Sequence, residues 1–227
     1  MDVTRLKFEA NDRKGEVTAL WTRPPDATHV VVLSHAASTG IEHGSMVAIA
    51  EALYAVGIAI FRYNFPYMER GGRGLDGKAT CYATVRSAVA QASEIAGNLP
   101  VLAGGRSFGG RMTSMAAATE PIPGLIGLVF YAFPLHPAKK PSTDRADHLA
   151  EVGLPMLFLT GTRDALAGLD LLEPIVTALP KATLQTIDTA DHSFKVLKRS
   201  GLTDEDAQNC AAELVRGWAA DLTPCGS

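Results

Sequence analysis

The sequence predicts an α/β fold, a mostly parallel twisted sheet with helices on both faces, and three observations predict it. Short apolar runs alternate with helix-spaced apolar residues along the chain, without internal repeats or a low-complexity linker. One apolar run, Pro100-Val101-Leu102-Ala103-Gly104, enters the turn Gly105-Arg106-Ser107-Phe108-Gly109 and leaves as the helix-like stretch Arg111 to Thr119. Asp164 and His192 each stand just beyond a strand-like run, where the loops of an open parallel sheet converge.

Taken in order, Leu6 to Ala10 and Val17 to Thr22 read as an antiparallel hairpin turning through Asp12 to Gly15. Val30 to Leu33 begins the parallel core. Met46, Ile49, Ala50, Leu53 and Val56 recur at helical spacing, Gly57 stops that helix, and Ile58 to Phe61 is the next strand. A second helix is expected from Thr80 to Ala96. After the serine turn come a strand at Leu125 to Tyr131, a strand at Met156 to Thr160, a helix near Leu169 to Leu179, and a strand at Leu184 to Asp188. The final helix carries Ala207, Cys210, Ala211, Leu214, Val215, Trp218 and Leu222 on one face, and Thr203 with Asp206 forms a capping box at its start. The 227 residues suffice for one domain with a full core, so no boundary is placed within 1–227.

A serine turning a strand into a helix is held in a strained conformation with its hydroxyl above the sheet edge, over a helix N-terminus that favours negative charge. Gly105 and Gly109 have a steric reason there, because side chains would collide with the packed elements on either side. Such a nucleophile needs a base and an acid that orients the base. Both follow in the order Ser, Asp, His: Asp164 in Gly161-Thr162-Arg163-Asp164, and His192 in Thr189-Ala190-Asp191-His192-Ser193-Phe194. Asp188 and Asp191 compete with Asp164 for the acid position, since an aspartate after a strand is also a common turn residue.

These segments, together with Phe61-Arg62-Tyr63-Asn64-Phe65-Pro66-Tyr67 and Tyr131-Ala132-Phe133-Pro134-Leu135-His136-Pro137, resemble the alpha/beta-hydrolase superfamily over nearly the whole chain. They look like a branch of small cap-less predicted hydrolases related to testis-expressed protein 30 and, more distantly, to dienelactone hydrolases. The chain departs from the latter in having serine, not cysteine, as nucleophile, and it reads His35-Ala36-Ala37 where many relatives have His-Gly-Xaa. The resemblance implies an alpha/beta-hydrolase fold and a serine hydrolase acting on an ester-type acyl substrate. It assigns Ser107 as nucleophile, His192 as base and Asp164 as its orienting acid. The oxyanion would be held by the backbone N–H groups of Phe108 and Ala37, with Ala36 as the alternative to Ala37. No metal or organic cofactor is required.

Residues 132–154 contain Pro134, Pro137 and Pro141 and are too few for a helical cap with its connections, so an open pocket with minimal or no cap is expected. Such a triad attacks esters, thioesters, lactones and peptides alike. A catalytically silent scaffold used for protein binding is the competing class, and a perhydrolase side activity would need peroxide and a carboxylic acid.

With 21 basic and 24 acidic side chains the net charge is −3, which gives no electrostatic footprint for nucleic acid or an anionic membrane and favours a small-molecule substrate. The start lacks the apolar core of a secretory signal, and no apolar stretch is long enough to span a bilayer, so a cytoplasmic protein is expected. Cys81, Cys210 and Cys225 suit reduced thiols and have no metal-ligand spacing. Oligomeric state is not legible.

Gly72-Arg73-Gly74-Leu75-Asp76-Gly77 fits a dinucleotide-binding spacing but does not leave a strand directly, and reads as a glycine-rich loop. Arg62, Arg106, Arg111 and Arg163 fall near the expected active edge. Internal ion pairing is the preferred reading of the last three; binding of a substrate anion is the alternative, with Arg62 and Arg111 as its candidates. His136 either borders the pocket as a substrate-binding candidate or lies solvated in its loop, and His35 reads as a structural part of the loop that supplies amides.

Overall fold

Eight strands form one sheet in the order β1-β2-β4-β3-β5-β6-β7-β8. The computed structural model describes residues 1–11, 14–71 and 74–223. The strands are β1 (Thr4–Asn11), β2 (Gly15–Thr22), β3 (His29–Ser34), β4 (Ile58–Tyr63), β5 (Val101–Arg106), β6 (Leu125–Tyr131), β7 (Met156–Gly161) and β8 (Ala182–Ile187). β1 and β2 pair antiparallel, as does β2 with β4, and every pairing from β4 to β8 is parallel. The predicted hairpin and parallel core are therefore present. Asp12 and Arg13 of the hairpin turn, Gly72 and Arg73 of the glycine-rich segment, and Cys225 lie outside the described residues.

All six residues of β3, β4, β5 and β7 are buried, as expected for strands covered on both faces. The helices are α1 (Gly44–Ala55), α2 (Pro66–Glu69), α3 (Lys78–Ala96), α4 (Phe108–Thr119), α5 (Leu169–Ala178) and α6 (Asp204–Leu222). Val85, Met112 and Leu172 place α3, α4 and α5 on the face shared by Phe61 and Phe130. Leu53 and Val215 place α1 and α6 on the opposite face with Leu33 and Val129. The strand period of two sends alternate residues of each strand into these two layers.

The capping box at the last helix is formed: Thr203 Oγ1 accepts from the Asp206 N–H at 3.1 Å, and the Asp206 carboxylate accepts from the Thr203 N–H at 2.8 Å. Two elements differ from expectation. Helix α4 starts at Phe108, not Arg111, so Gly109 and Gly110 lie inside a helix despite their low propensity. The segment between β6 and β7 contains a 3-10 helix, Asp144–Glu151, packed on α4. Among the described residues no helix is long and apolar enough to cross a membrane.

Candidate active site

Strand β5 ends at Arg106 and α4 begins at Phe108, so Ser107 alone makes the turn, with φ 51° and ψ −114°. Its N–H donates to the Tyr131 carbonyl at 2.9 Å and its carbonyl accepts from the Arg111 N–H at 3.1 Å, which holds the backbone in this sparsely populated region. The chain can pass so close to the end of β3 only without side chains: a Cβ on Gly109 would stand 2.6 Å from the His35 carbonyl oxygen, and one on Gly105 would overlap Ser34. A positive φ costs a residue with a side chain about 1–3 kcal/mol. Ser107→Gly is therefore expected to unfold at higher denaturant than Ser107→Ala, by about 1 kcal/mol once the glycine's extra unfolded-state entropy is subtracted. Equal midpoints would contradict a strained turn.

The Ser107 hydroxyl lies 2.9 Å from His192 Nε2, and His192 Nδ1 lies 2.9 and 2.8 Å from the two Asp164 carboxylate oxygens. A carboxylate only accepts, so Nδ1–H donates to Asp164 and leaves the Nε2 lone pair toward the serine proton. The Asp164 side chain is fully buried, and its Oδ1 also accepts the Leu166 N–H at 2.8 Å. The competing acids are engaged elsewhere. Asp191 accepts from the Ser193 and Lys195 amides at 2.7 and 3.1 Å, and Asp188 accepts from the Thr189 amide at 2.9 Å. Such an arrangement can move a proton from the hydroxyl to the imidazole while the carboxylate fixes the ring.

The loops carrying Asp164 and His192 are laced together. Thr162 N–H donates to the Ile187 carbonyl at 3.0 Å, Arg163 N–H to the Ala190 carbonyl at 2.9 Å, and the Arg163 guanidinium to the Thr189 carbonyl at 3.0 Å.

Among the described residues, the N–H groups of Phe108, Ala37 and Ala36 donate to no protein acceptor. The loop after β3 is oriented by His35. The Phe65 N–H donates to His35 Nε2 at 3.0 Å, which fixes the proton on Nδ1, and Nδ1–H donates to the Ala36 carbonyl at 2.8 Å. A trans peptide directs its N–H opposite to its C=O, so this bond turns the Ala37 N–H away from the imidazole. Tyr67 adds a second tie, its hydroxyl donating to the Ala37 carbonyl at 2.9 Å. Nothing in the sequence spacing links Tyr67 to that loop.

His35 is fully buried, and desolvation pushes its pKa down to about 4; His148 is likewise lowered to about 4 by burial and by the nearby Arg111 and Lys78. Both are neutral in the fold at pH 7. The unfolded chain takes up their protons near pH 6.5, so stability falls as pH drops from about 6.5 toward 4 and levels off for these groups below that. His35 alone accounts for a loss on the order of 3 kcal/mol, and the half-exposed His148 adds less. Denaturant midpoints measured between pH 7 and 5, above most carboxylate titration, are expected to show this decline; a flat profile would contradict it.

The arginines differ from the ion-pair expectation. Arg106 donates to the Ser193 hydroxyl at 3.2 Å and to the His192 carbonyl at 3.5 Å, and Arg163 is spent on Thr189, so both brace loops; neither they nor Arg111 forms an ion pair among the described residues. For Arg106 the physical reason is that the nearest acids, Asp191 and Asp164, are already satisfied by backbone amides and by His192. Arg111 is half-buried beside Tyr82 and Arg145, and its Nε is buried without an acceptor. Arg62 donates to the Ile41 carbonyl at 3.0 Å, near Glu51 and Glu42, on the α1 side of the sheet and not beside Ser107. His136 is buried, not solvated: its ring lies 2.9 Å from the Pro137 carbonyl and its N–H donates to Leu166, next to the Asp164 turn. Gly77 caps α3, and the Asp76 carboxylate pairs with Arg70 at 2.8 Å, so the described part of the glycine-rich segment is a loop between α2 and α3. Cys81 and Cys210 are free thiols. Among the described residues no group of three or more His, Cys, Asp or Glu is placed to hold a metal ion.

Solved structures share this fold. A dienelactone hydrolase from Anabaena variabilis is 19% identical with a TM-score of 0.75, covering 97% of this chain and 99% of that one. A serine hydrolase without a lid from Xanthomonas campestris is 20% identical with a TM-score of 0.71, covering 96% and 95%. The esterase domain of a Rhodothermus marinus protein is 19% identical with a TM-score of 0.70, covering 97% and 99%. The likeness to relatives of testis-expressed protein 30 rests on the sequence segments alone. A family model described as an alpha/beta hydrolase domain matches residues 27–220, which span β3 to α6 with the serine turn and both partner loops, and by that match the chain belongs to the alpha/beta hydrolase family.

Proposed function

We propose that this protein is a serine hydrolase that cleaves small ester-type acyl substrates through an acyl-enzyme, within one α/β domain spanning residues 1–227. The observation that carries the reading is the unbroken hydrogen-bonded chain from the Ser107 hydroxyl through His192 to the buried Asp164 carboxylate, set on a positive-φ turn. Ser107 Oγ attacks the acyl carbonyl carbon as His192 Nε2 takes its proton. The oxyanion is held by the Phe108 N–H, pointing from the first turn of α4, and by the Ala37 N–H that His35 orients. The tetrahedral adduct collapses as His192 protonates the leaving alcohol. Water then attacks the acyl-enzyme, giving its proton to His192, which returns it to Ser107 Oγ. Every proton in both half-reactions has a donor and an acceptor among these groups.

The names of similar folds, an esterase domain and a dienelactone hydrolase, support ester-type carbonyls, and the neighbour without a lid supports an open site for a small molecule. Free thiols at Cys81 and Cys210 support a reducing compartment, taken as the cytoplasm. The test is intact and peptide-level mass spectrometry after fluorophosphonate treatment of the chain, Ser107→Ala and His192→Ala. One adduct at Ser107 that depends on His192 is expected. A folded chain that takes no label would leave the silent, protein-binding scaffold as the better reading.

The half-buried Arg111 guanidinium, one helical turn beyond Ser107 and without an ion pair or hydrogen bond among the described residues, favours an anionic group on the substrate. Arg145 beside it adds like charge that an anion would offset. Arg111→Gln is expected to lower kcat/KM for a hemisuccinate ester about tenfold more than for a neutral ester of equal length, the worth of one charge-assisted hydrogen bond. Equal losses would remove the anionic preference.

A further inference from the structure

A cleft of about 770 Å³ opens between α1 and α6, behind the loop that carries His192. Ser107, His192 and Asp164 are not among its walls, so it is separate from the reacting groups. Two largely buried polar side chains line it. Arg106 is 9% exposed; one guanidinium nitrogen donates to Ser193 and His192, while among the described residues Nη1 and Nε make no hydrogen bond and no carboxylate forms an ion pair with it. Gln208 is 8% exposed, and its buried Oε1 has no hydrogen-bond partner. The unmet Gln208 oxygen is closed off from the cleft, whereas the free Arg106 nitrogens remain accessible from it.

The other charges along the cleft are exposed. Glu51, Asp204, Glu205 and Lys195 stand in solvent, where their fields are screened, and the Asp204 carboxylate is already engaged by the Val196 N–H at 2.9 Å. Among the described lining residues the largely buried charge is therefore the Arg106 guanidinium, which the nearby Asp191 and Asp164 carboxylates offset in part. Small apolar surfaces also line the cleft, Ala48 and Ala52 of α1 and the ring of Phe194. The volume falls within the range of small-molecule sites, about 300–1,000 Å³.

We propose that this cleft binds a small organic carboxylate, its anionic head on the free Arg106 nitrogens and its apolar body against Ala48, Ala52 and Phe194. Occupancy reaches the reaction, because Arg106 directly precedes Ser107 and also braces the His192 carbonyl and the Ser193 hydroxyl. A carboxylate that draws the guanidinium into the cleft loosens that brace. This coupling rests on the proposed role of His192, whereas binding does not.

The probe is N-benzoylglycine, which carries a carboxylate, an N–H donor and a phenyl ring; its neutral primary amide is the comparator. Calorimetric titration uses the full chain before and after Ser107 is covered by a fluorophosphonate. The carboxylate is expected to bind covered and uncovered protein alike, and the amide about tenfold more weakly or worse. Arg106→Gln and Ala48→Phe, each shown to be folded by its melting curve, are expected to lose at least about tenfold in affinity. Equal binding of the amide, loss of binding on covering Ser107, or no saturable binding at millimolar probe would each overturn the site. With a neutral ester as substrate, saturating probe is expected to lower kcat at unchanged KM; binding with kcat unmoved would overturn the coupling and leave the site standing. If Ser107 takes no label, the hydrolase reading fails, and the binding arm is read on the unlabelled chain.

Discussion

Ser107→Ala is expected to lower kcat for a neutral ester by roughly 10⁴- to 10⁶-fold while the chain stays folded. The substitution removes one oxygen and keeps a Cβ, so the backbone at φ 51° is strained to the same degree and the stability lost is that of one hydrogen bond, about 1 kcal/mol. Activity and stability thus separate by several orders of magnitude. Groups acting as a unit are not additive, so Ser107→Ala combined with His192→Ala is expected to be no slower than either alone. Whatever rate remains would come from water attacking a carbonyl already polarised by the Phe108 and Ala37 amides. A Ser107→Ala enzyme within tenfold of the parent would take the serine out of the mechanism.

Asp164→Asn is expected to cost roughly 10⁴ in kcat with little change in KM. An asparagine fits the same buried space, and its oxygen can still accept the Leu166 N–H, so the loop stays in place. The loss comes from proton position. An amide nitrogen facing His192 Nδ1 drives the imidazole proton to Nε2, where it opposes the serine hydroxyl and no lone pair is left to receive the proton. Asp191→Asn is the control. Its carboxylate serves the Ser193 and Lys195 amides and not the imidazole, so it is expected to cost far less. If Asp191→Asn were the more damaging change, the acid would be misassigned.

The serine turn was legible because it is local: a strand, two small flanking residues and a helix within one stretch of chain carry the whole geometric requirement. The capping box of α6 was legible for the same reason. Helix α2 was not, because four residues carry too little periodicity to stand out from the loop around them. Arg62 was expected near the active edge, but alternation along β4 turns it to the face opposite Phe61 and Tyr63, which α1 covers, a packing that its position after a strand does not give. The ion pairs expected of Arg106 and Arg163 gave way to carbonyl and hydroxyl acceptors on the His192 loop, contacts between segments distant in sequence. The tie from Tyr67 to Ala37 is hidden likewise, since it depends on how α2 folds back over the end of β3.

The lacing of the β7 and β8 loops divides the reacting groups unevenly. Acid and base ride on one bonded unit, whereas the nucleophile belongs to β5 and α4, with β6 standing between the two halves of the sheet. Among the described residues, the side-chain bonds that join the two directly are those of Arg106 to His192 and Ser193, at 3.5 and 3.2 Å, and the serine–histidine bond at 2.9 Å. The ladders through β6 hold the two halves of the sheet together, so a small shift of the β7 and β8 loops is felt at the serine–histidine bond. Such a shift would keep carboxylate and imidazole together, out of register with a serine still poised on its turn.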